Sequence, residues 1–255
     1  MDPLIVMTRR DRFHPGSFAG VVFIGVFFLI AASLVGAADV CADTVQAPPV
    51  ADLPVVELRA ASTSSDVLAI ILSGDGGWAD LDRDFGEAFQ SRGISTLGFD
   101  CLKYFWTIRQ PAEVSRDLTT LLRHYISTWK KQRILLLGFS FGASWLPFLV
   151  NRLPPDLQQR VTLVTLLAPG KTANVEIKFG DWLRDEIHRD GELDATAEAL
   201  RLRHPVLCIY GADEESISLC PLLKGANIQV ERVPGGHHFD NNYAPIQDLI
   251  LKRLG

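Results

Sequence analysis

The chain predicts an α/β fold in which a mostly parallel central sheet is flanked by helices. Two observations carry this. Short apolar runs of strand length alternate with longer segments of helical spacing from residue 54 to residue 254, and such alternation builds parallel sheets with helices on both faces. The composition, 47% hydrophobic and 22% charged residues over 255 positions, is that of an ordinary globular domain and excludes a disordered chain, a collagen-like repeat or a coiled coil. Taken in order, 54–59 reads as an edge strand. The run VLAIIL at 67–72 is continuous, has strand length and stops at glycines, as a buried strand does. A helix is expected over 80–92, with Leu81, Phe85, Ala88 and Phe89 on one side and Gly93 as its stop. A strand follows at 94–99. A helix over 112–131 opens after Pro111 and carries Val114, Leu118, Leu121, Leu122, Tyr125 and Trp129 at helical spacing. Beyond it come a strand at 133–137, a helix at 142–153, strands at 161–167, 205–210 and 228–233, and a closing helix at 242–254. Residues 171–204 are expected to form either a short helical cap or a plain crossover helix, so the lid is small or absent.

The N-terminal segment is set apart from this pattern. Arg9, Arg10 and Arg12 precede FAGVVFIGVFFLIAASLV at 18–35, and small residues follow at Gly36, Ala37, Ala38 and Ala42. That is the order of a secretory signal, and the apolar run is also close to the length of a spanning helix. Residues 1–42 are therefore read as a signal peptide or signal anchor, 43–53 as a Pro-containing linker, and 54–255 as one domain, exported with its basic flank left inside. Of Cys101, Cys208 and Cys220, a pair can bridge in an oxidising compartment with one left free, and the sequence leaves the pairing open. The net charge of -5 lacks the basic surplus of a nucleic-acid binder.

Chemistry concentrates at three strand ends. Gly138-Phe139-Ser140-Phe141-Gly142 lies between the strand RILLL and an apolar helix. In that context G-x-S-x-G forms a strained elbow that lifts the serine hydroxyl above the sheet as a nucleophile. The Phe141 amide, just after it, is placed to donate to an oxyanion. The loop Ser73-Gly74-Asp75-Gly76-Gly77-Trp78 follows the strand VLAIIL, where the second oxyanion donor is expected, so the amides of Asp75 or Gly76 are candidates. Its spacing matches no phosphate-binding glycine motif. Acidic residues at Asp213 and Glu214, then histidines at His237 and His238, follow two later strands in the order serine, acid, histidine of the α/β-hydrolases. Asp213 and His238 are the first choices for the orienting acid and the base, with Glu214 and His237 as alternates. No HExxH or Cys/His spacing points to a metal, and this chemistry needs no cofactor.

The segments LSGDGGW, GFDCLKYFW, GFSFGA, CIYGADEES and PGGHHF, in this order, resemble the bacterial virulence VirJ family, including the C-terminal domain of AcvB-type proteins. The resemblance implies a periplasmic α/β-hydrolase with Ser140 as its serine and the acid and histidine segments as its partners. It further implies a link to type IV secretion and to hydrolysis of the aminoacyl ester lysyl-phosphatidylglycerol. Expected partners are thus an aminoacylated phospholipid or another ester, a membrane surface and secretion-system proteins. A generic carboxylesterase and a non-catalytic secretion adaptor are the alternatives. The resemblance also draws attention to Tyr104 and Trp106, which with Trp78 are candidates to line a substrate entrance.

Overall fold

The computed structural model describes residues 49–61, 65–178 and 192–254. The signal or anchor segment, most of the linker, and Phe179, Trp182 and Leu183 of the expected cap lie outside the described residues. The elements in chain order are β1 (Val55–Leu58), β2 (Val67–Leu72), α1 (Asp80–Ser91), β3 (Ser95–Phe99), α2 (Cys101–Tyr104), α3 (Pro111–Thr128), β4 (Arg133–Phe139), α4 (Phe141–Val150) and α5 (Pro155–Gln158). They continue with β5 (Val161–Leu167), β6 (Thr172–Ala173), β7 (Leu193–Asp194), α6 (Ala195–Ala199), β8 (Val206–Gly211), β9 (Ile228–Val233) and α7 (Ala244–Leu254). Seven strands form one sheet in the order β1-β3-β2-β4-β5-β8-β9. Only β1, at the edge, runs antiparallel, pairing Val55 with Phe99 and Leu58 with Thr96. The mostly parallel sheet flanked by helices is as the sequence predicts.

Every residue of β2 is buried because both faces of the strand are covered. Leu68, Ile70 and Leu72 join the core shared with α3 and α4, while Val67, Ala69 and Ile71 join the core shared with α1 and α7. On the first face α3 contributes Val114, Leu118, Leu121, Leu122 and Tyr125. On the second, α1 contributes Leu81, Phe85 and Phe89, and α7 contributes Ile246, Ile250 and Leu254. Each fully buried Leu or Ile is worth roughly 1.5–3 kcal/mol, so this two-sided core is the main support of the sheet. The helix after β9 starts at Ala244 rather than 242, because Asn242 at the expected start has ψ 77°, outside the helical region. Between residues 171 and 204 the described residues form the two-residue ladder of β6 and β7 and the short α6. Among the described residues, no helix is long and apolar enough to cross a membrane.

Cys208 and Cys220 are disulfide-bonded, and Cys101 is a buried free thiol. Burial pushes the Cys101 thiol well above its ordinary range. Asp82 accepts a hydrogen bond from the Ala79 amide at the start of α1 (3.2 Å), but its other carboxylate oxygen is buried without a partner. Desolvation raises its pKa from 3.8 to about 7. The folded protein therefore holds a proton on Asp82 that the unfolded chain releases, so the contribution of this group to stability is fully present below the unfolded pKa and is lost as pH rises from about 4 through about 7. Asp82→Asn is expected to flatten that part of the stability–pH curve and to stabilise the protein at pH 8 by about 1–3 kcal/mol. Urea unfolding of both proteins at pH 5 and pH 8 measures this.

Candidate active site

The chain reverses its direction of winding at β2, which has β3 on one side and β4 on the other. Loops leaving the carboxyl ends of β2 and β4 therefore flank the crevice where open α/β sheets bind ligands. Ser140 stands at the turn from β4 into α4 with φ 52° and ψ -113°, a strained conformation for a residue with a side chain. The flanking glycines make the turn possible. A Cβ on Gly138 would come within 2.6 Å of the Ala143 backbone, and one on Gly142 within 2.5 Å of the Leu72 carbonyl oxygen. The Gly142 amide donates to the Ser73 carbonyl (3.1 Å), which ties the start of α4 to the loop after β2. Ser144, one turn into α4, donates to the Ser140 carbonyl (3.1 Å) and accepts from the Gly170 amide (2.9 Å). The elbow is thereby fixed to the segment after β5.

The Ser140 hydroxyl lies 2.7 Å from His237 Nε2, and His237 Nδ1 lies 2.7 Å from Glu214 Oε1. With the serine donating to Nε2, Nδ1 carries the other proton and donates to the carboxylate. This relay runs through the two alternates and corrects the first choices for acid and base. Asp213 and Glu214 occupy one 3₁₀ turn, 212–214, where successive side chains are a third of a turn apart. Only Glu214 therefore faces the serine, and Asp213 is exposed. A parallel choice separates the histidines. Gly235 takes φ +90°, and a Cβ on Gly211 would meet the Gly236 carbonyl oxygen at 2.3 Å. The loops after β8 and β9 thus touch backbone to backbone, and this contact sets His237 toward Ser140. Both rings stand near Phe139 (5.2 Å between centroids for His237 and 5.3 Å for His238), but the exposed His238 makes no side-chain hydrogen bond among the described residues. Burial, then the neighbouring His237, lowers its pKa.

A cleft of about 210 Å³ opens on Ser140 and is lined by Asp75, Phe141, Asn174, Glu214, Ile217 and His237, among others. Among the described residues, the amides of Phe141 and Asp75 meet no protein acceptor, so both are available to an oxyanion at the serine. Gly76 is exposed and borders an adjoining hollow with Asp80, Asp82 and His238 instead of this cleft. That separates it from Asp75 as an oxyanion candidate. Asn174, Ser144 and Ile217 were not legible as cleft residues, since no motif marks them and only the packing brings them there. Among the described residues, no group of His, Cys, Asp and Glu side chains is placed to hold a metal ion.

The three aromatic candidates do not line this cleft. Trp78 is a wedge between α1 and β3: a Cβ on Gly98 would lie 2.3 Å from its ring, and one on Gly86 3.4 Å away. Tyr104 is only 4% exposed. Its hydroxyl donates to Asp117 at 2.5 Å, the Arg109 guanidinium covers its ring, and burial and that carboxylate push its pKa upward. It is a core residue. Trp106 is 55% exposed and lies outside the residues lining the cleft.

A parallel sheet with an antiparallel edge, a strained serine elbow after β4 and an acid and a histidine after β8 and β9 define the class: this is an α/β-hydrolase fold. Solved structures of that class superpose on it. Est1E from Butyrivibrio proteoclasticus, with ferulic acid bound, matches with a TM-score of 0.53 at 14% identity over 79% of this chain and 95% of its own. MenH from S. aureus gives 0.54 at 13% identity over 78% and 97%. The type II thioesterase BorB of the borrelidin biosynthetic cluster gives 0.54 at 16% identity over 79% and 97%. Among curated proteins no sequence relative matches. The family model described as bacterial virulence protein (VirJ) matches residues 66–255, and the chain belongs to that family.

Proposed function

We propose that the protein is a serine hydrolase that cleaves an acyl ester. The observation that carries this is the unbroken relay Ser140–His237–Glu214, with 2.7 Å at each step. His237 takes the proton as Ser140 Oγ attacks the acyl carbonyl, and the Glu214 carboxylate stabilises the resulting imidazolium. The amides of Phe141 and Asp75 receive the oxyanion. His237 returns the proton to the leaving alkoxide, and water, activated by the same imidazole, releases the acyl group from Ser140.

For the substrate we propose the aminoacyl ester of a phospholipid such as lysyl-phosphatidylglycerol. The warrant is the resemblance to AcvB-type domains. The site's charge supports it: Asp75 and Glu214 line the cleft, and Asp80 borders the hollow beside it, so a cationic lysyl group meets no repulsion from them. A periplasmic setting, at a membrane surface and near the secretion apparatus, fits the apolar segment at 18–35. A buried Cys208–Cys220 disulfide also suits an oxidising compartment. The test is to incubate the purified protein with lysyl-phosphatidylglycerol in detergent micelles and measure free lysine against Ser140→Ala. Release by the wild type alone is expected. No release above the control, beside normal hydrolysis of simple esters, would remove the lipid substrate and leave the hydrolase standing.

A further inference from the structure

Glu214 sits on a loop whose near side is tied to the β9 side by the Asp213 amide, which donates to the Gly235 carbonyl (3.1 Å), and by the exposed Arg232–Glu215 ion pair (3.0 Å). In the turn 212–214 no residue is buried, and Glu215, Ser216 and Ile217 after it are exposed. The loop folds on itself through the Ile217 and Ser218 amides, which donate to the Glu214 carbonyl at 3.1 and 2.9 Å. Those bonds shape the loop but do not fix it to the body of the fold. The attachments of its returning side are three: the Leu219 amide donates to the Pro169 carbonyl (3.2 Å), Lys171 Nζ donates to the Ser216 carbonyl (2.6 Å), and Cys220 is bonded to Cys208 across 12 positions of sequence. Cys208 lies within β8, paired with Leu166 of β5 and Val230 of β9. Both cysteines are wholly buried. The disulfide therefore closes a loop with Glu214 near its middle, one end being the strand that delivers the acid and the other the segment that returns from the cleft wall at Ile217 and Ser218.

We infer that the Cys208–Cys220 disulfide is a positioning element for Glu214. It holds the carboxylate against His237 Nδ1 and the cleft wall beside it. This rests on the Ser140–His237–Glu214 reading. A shift of about 1 Å in a group that orients the base is enough to cost about 10²-fold in rate, and a carboxylate on an otherwise exposed loop has room for such a shift once the crosslink is gone.

The test is kcat toward a simple ester for Cys208→Ala/Cys220→Ala, and for Cys208→Val/Cys220→Ala, which restores core volume. Each is made in the wild-type and in the Glu214→Gln background, with near-ultraviolet circular dichroism to establish the fold. The expected result is a fall in kcat of about 10- to 100-fold with KM within about threefold. In the Glu214→Gln background the same replacements should change kcat less than about twofold, since the group they position no longer carries charge. Equal fold-losses in both backgrounds, a folded variant with wild-type kcat, or failure of both pairings to fold would overturn the positioning role. An oxidised wild type that neither turns over esters nor reacts at Ser140 would overturn the hydrolase reading, and this inference with it.

Discussion

His237→Ala is expected to lower kcat toward a simple ester by about 10³-fold or more, and His238→Ala by no more than about threefold. The difference follows from where the two rings stand. His237 bridges Ser140 and Glu214 through both ring nitrogens. Without it the serine proton has no acceptor and the leaving group no donor. His238 is adjacent in sequence, but its ring lies against Phe139 and His237 (5.3 and 5.5 Å between centroids). Its removal costs packing, and its lowered pKa keeps it uncharged at neutral pH. Steady-state kinetics on the two variants at pH 8 measures the contrast. A large loss in His238→Ala with activity kept in His237→Ala would reverse the assignment.

Gly142→Ala is expected to reduce kcat by about 10²-fold and to destabilise the fold by about 1–3 kcal/mol. The added methyl would lie 2.5 Å from the Leu72 carbonyl oxygen and 2.6 Å from that of Ser73. Both are backbone atoms at the end of β2, and the strand is paired on both sides. The strand cannot yield, so α4 must shift. That shift moves the Phe141 amide and the Asp75 loop apart, which are the two donors offered to the oxyanion, and it breaks the Gly142–Ser73 hydrogen bond. Removing a single oxyanion donor costs about 10²–10³ in rate, which sets the scale. Gly76→Ala is the control. A Cβ there meets nothing within 4 Å, and stability and kcat should stay near wild type. Thermal unfolding and ester kinetics on the two variants give the comparison.

The fold was legible because burial writes itself into consecutive residues. VLAIIL at 67–72 can be continuous only if both faces of β2 are covered, and the helix over 80–92 shows its buried side as Leu81, Phe85 and Phe89. The serine was legible for a related reason. Gly138 and Gly142 are each forced by a backbone contact within a few residues or at the adjoining strand, so the motif carries its own geometry. The acid and histidine segments could be found by chain order, but not the residue within each. Asp213 and Glu214, like His237 and His238, are neighbours on tight turns. Which of each pair faces Ser140 depends on the contact of Gly211 with the Gly236 carbonyl, a relation between loops more than twenty positions apart. Trp78 shows the same gap. Beside the glycine loop it looks like a wall of the site, yet its ring fills the place left by the missing side chain of Gly98. The glycine inside the strand STLGF was the available signal, since such a glycine marks a close approach by another group. Tyr104 is explained by Asp117, which sits on the same face of α3 as apolar residues and has no motif of its own.

The most direct measurement of the central claim is labelling by a fluorophosphonate, read by intact mass and peptide mapping. The probe phosphonylates a serine only where a neighbouring base and an oxyanion site activate it. The Ser140–His237–Glu214 account predicts one adduct per chain, located on Ser140, lost in Ser140→Ala and sharply slowed in His237→Ala. Equal labelling of wild type and Ser140→Ala would contradict it.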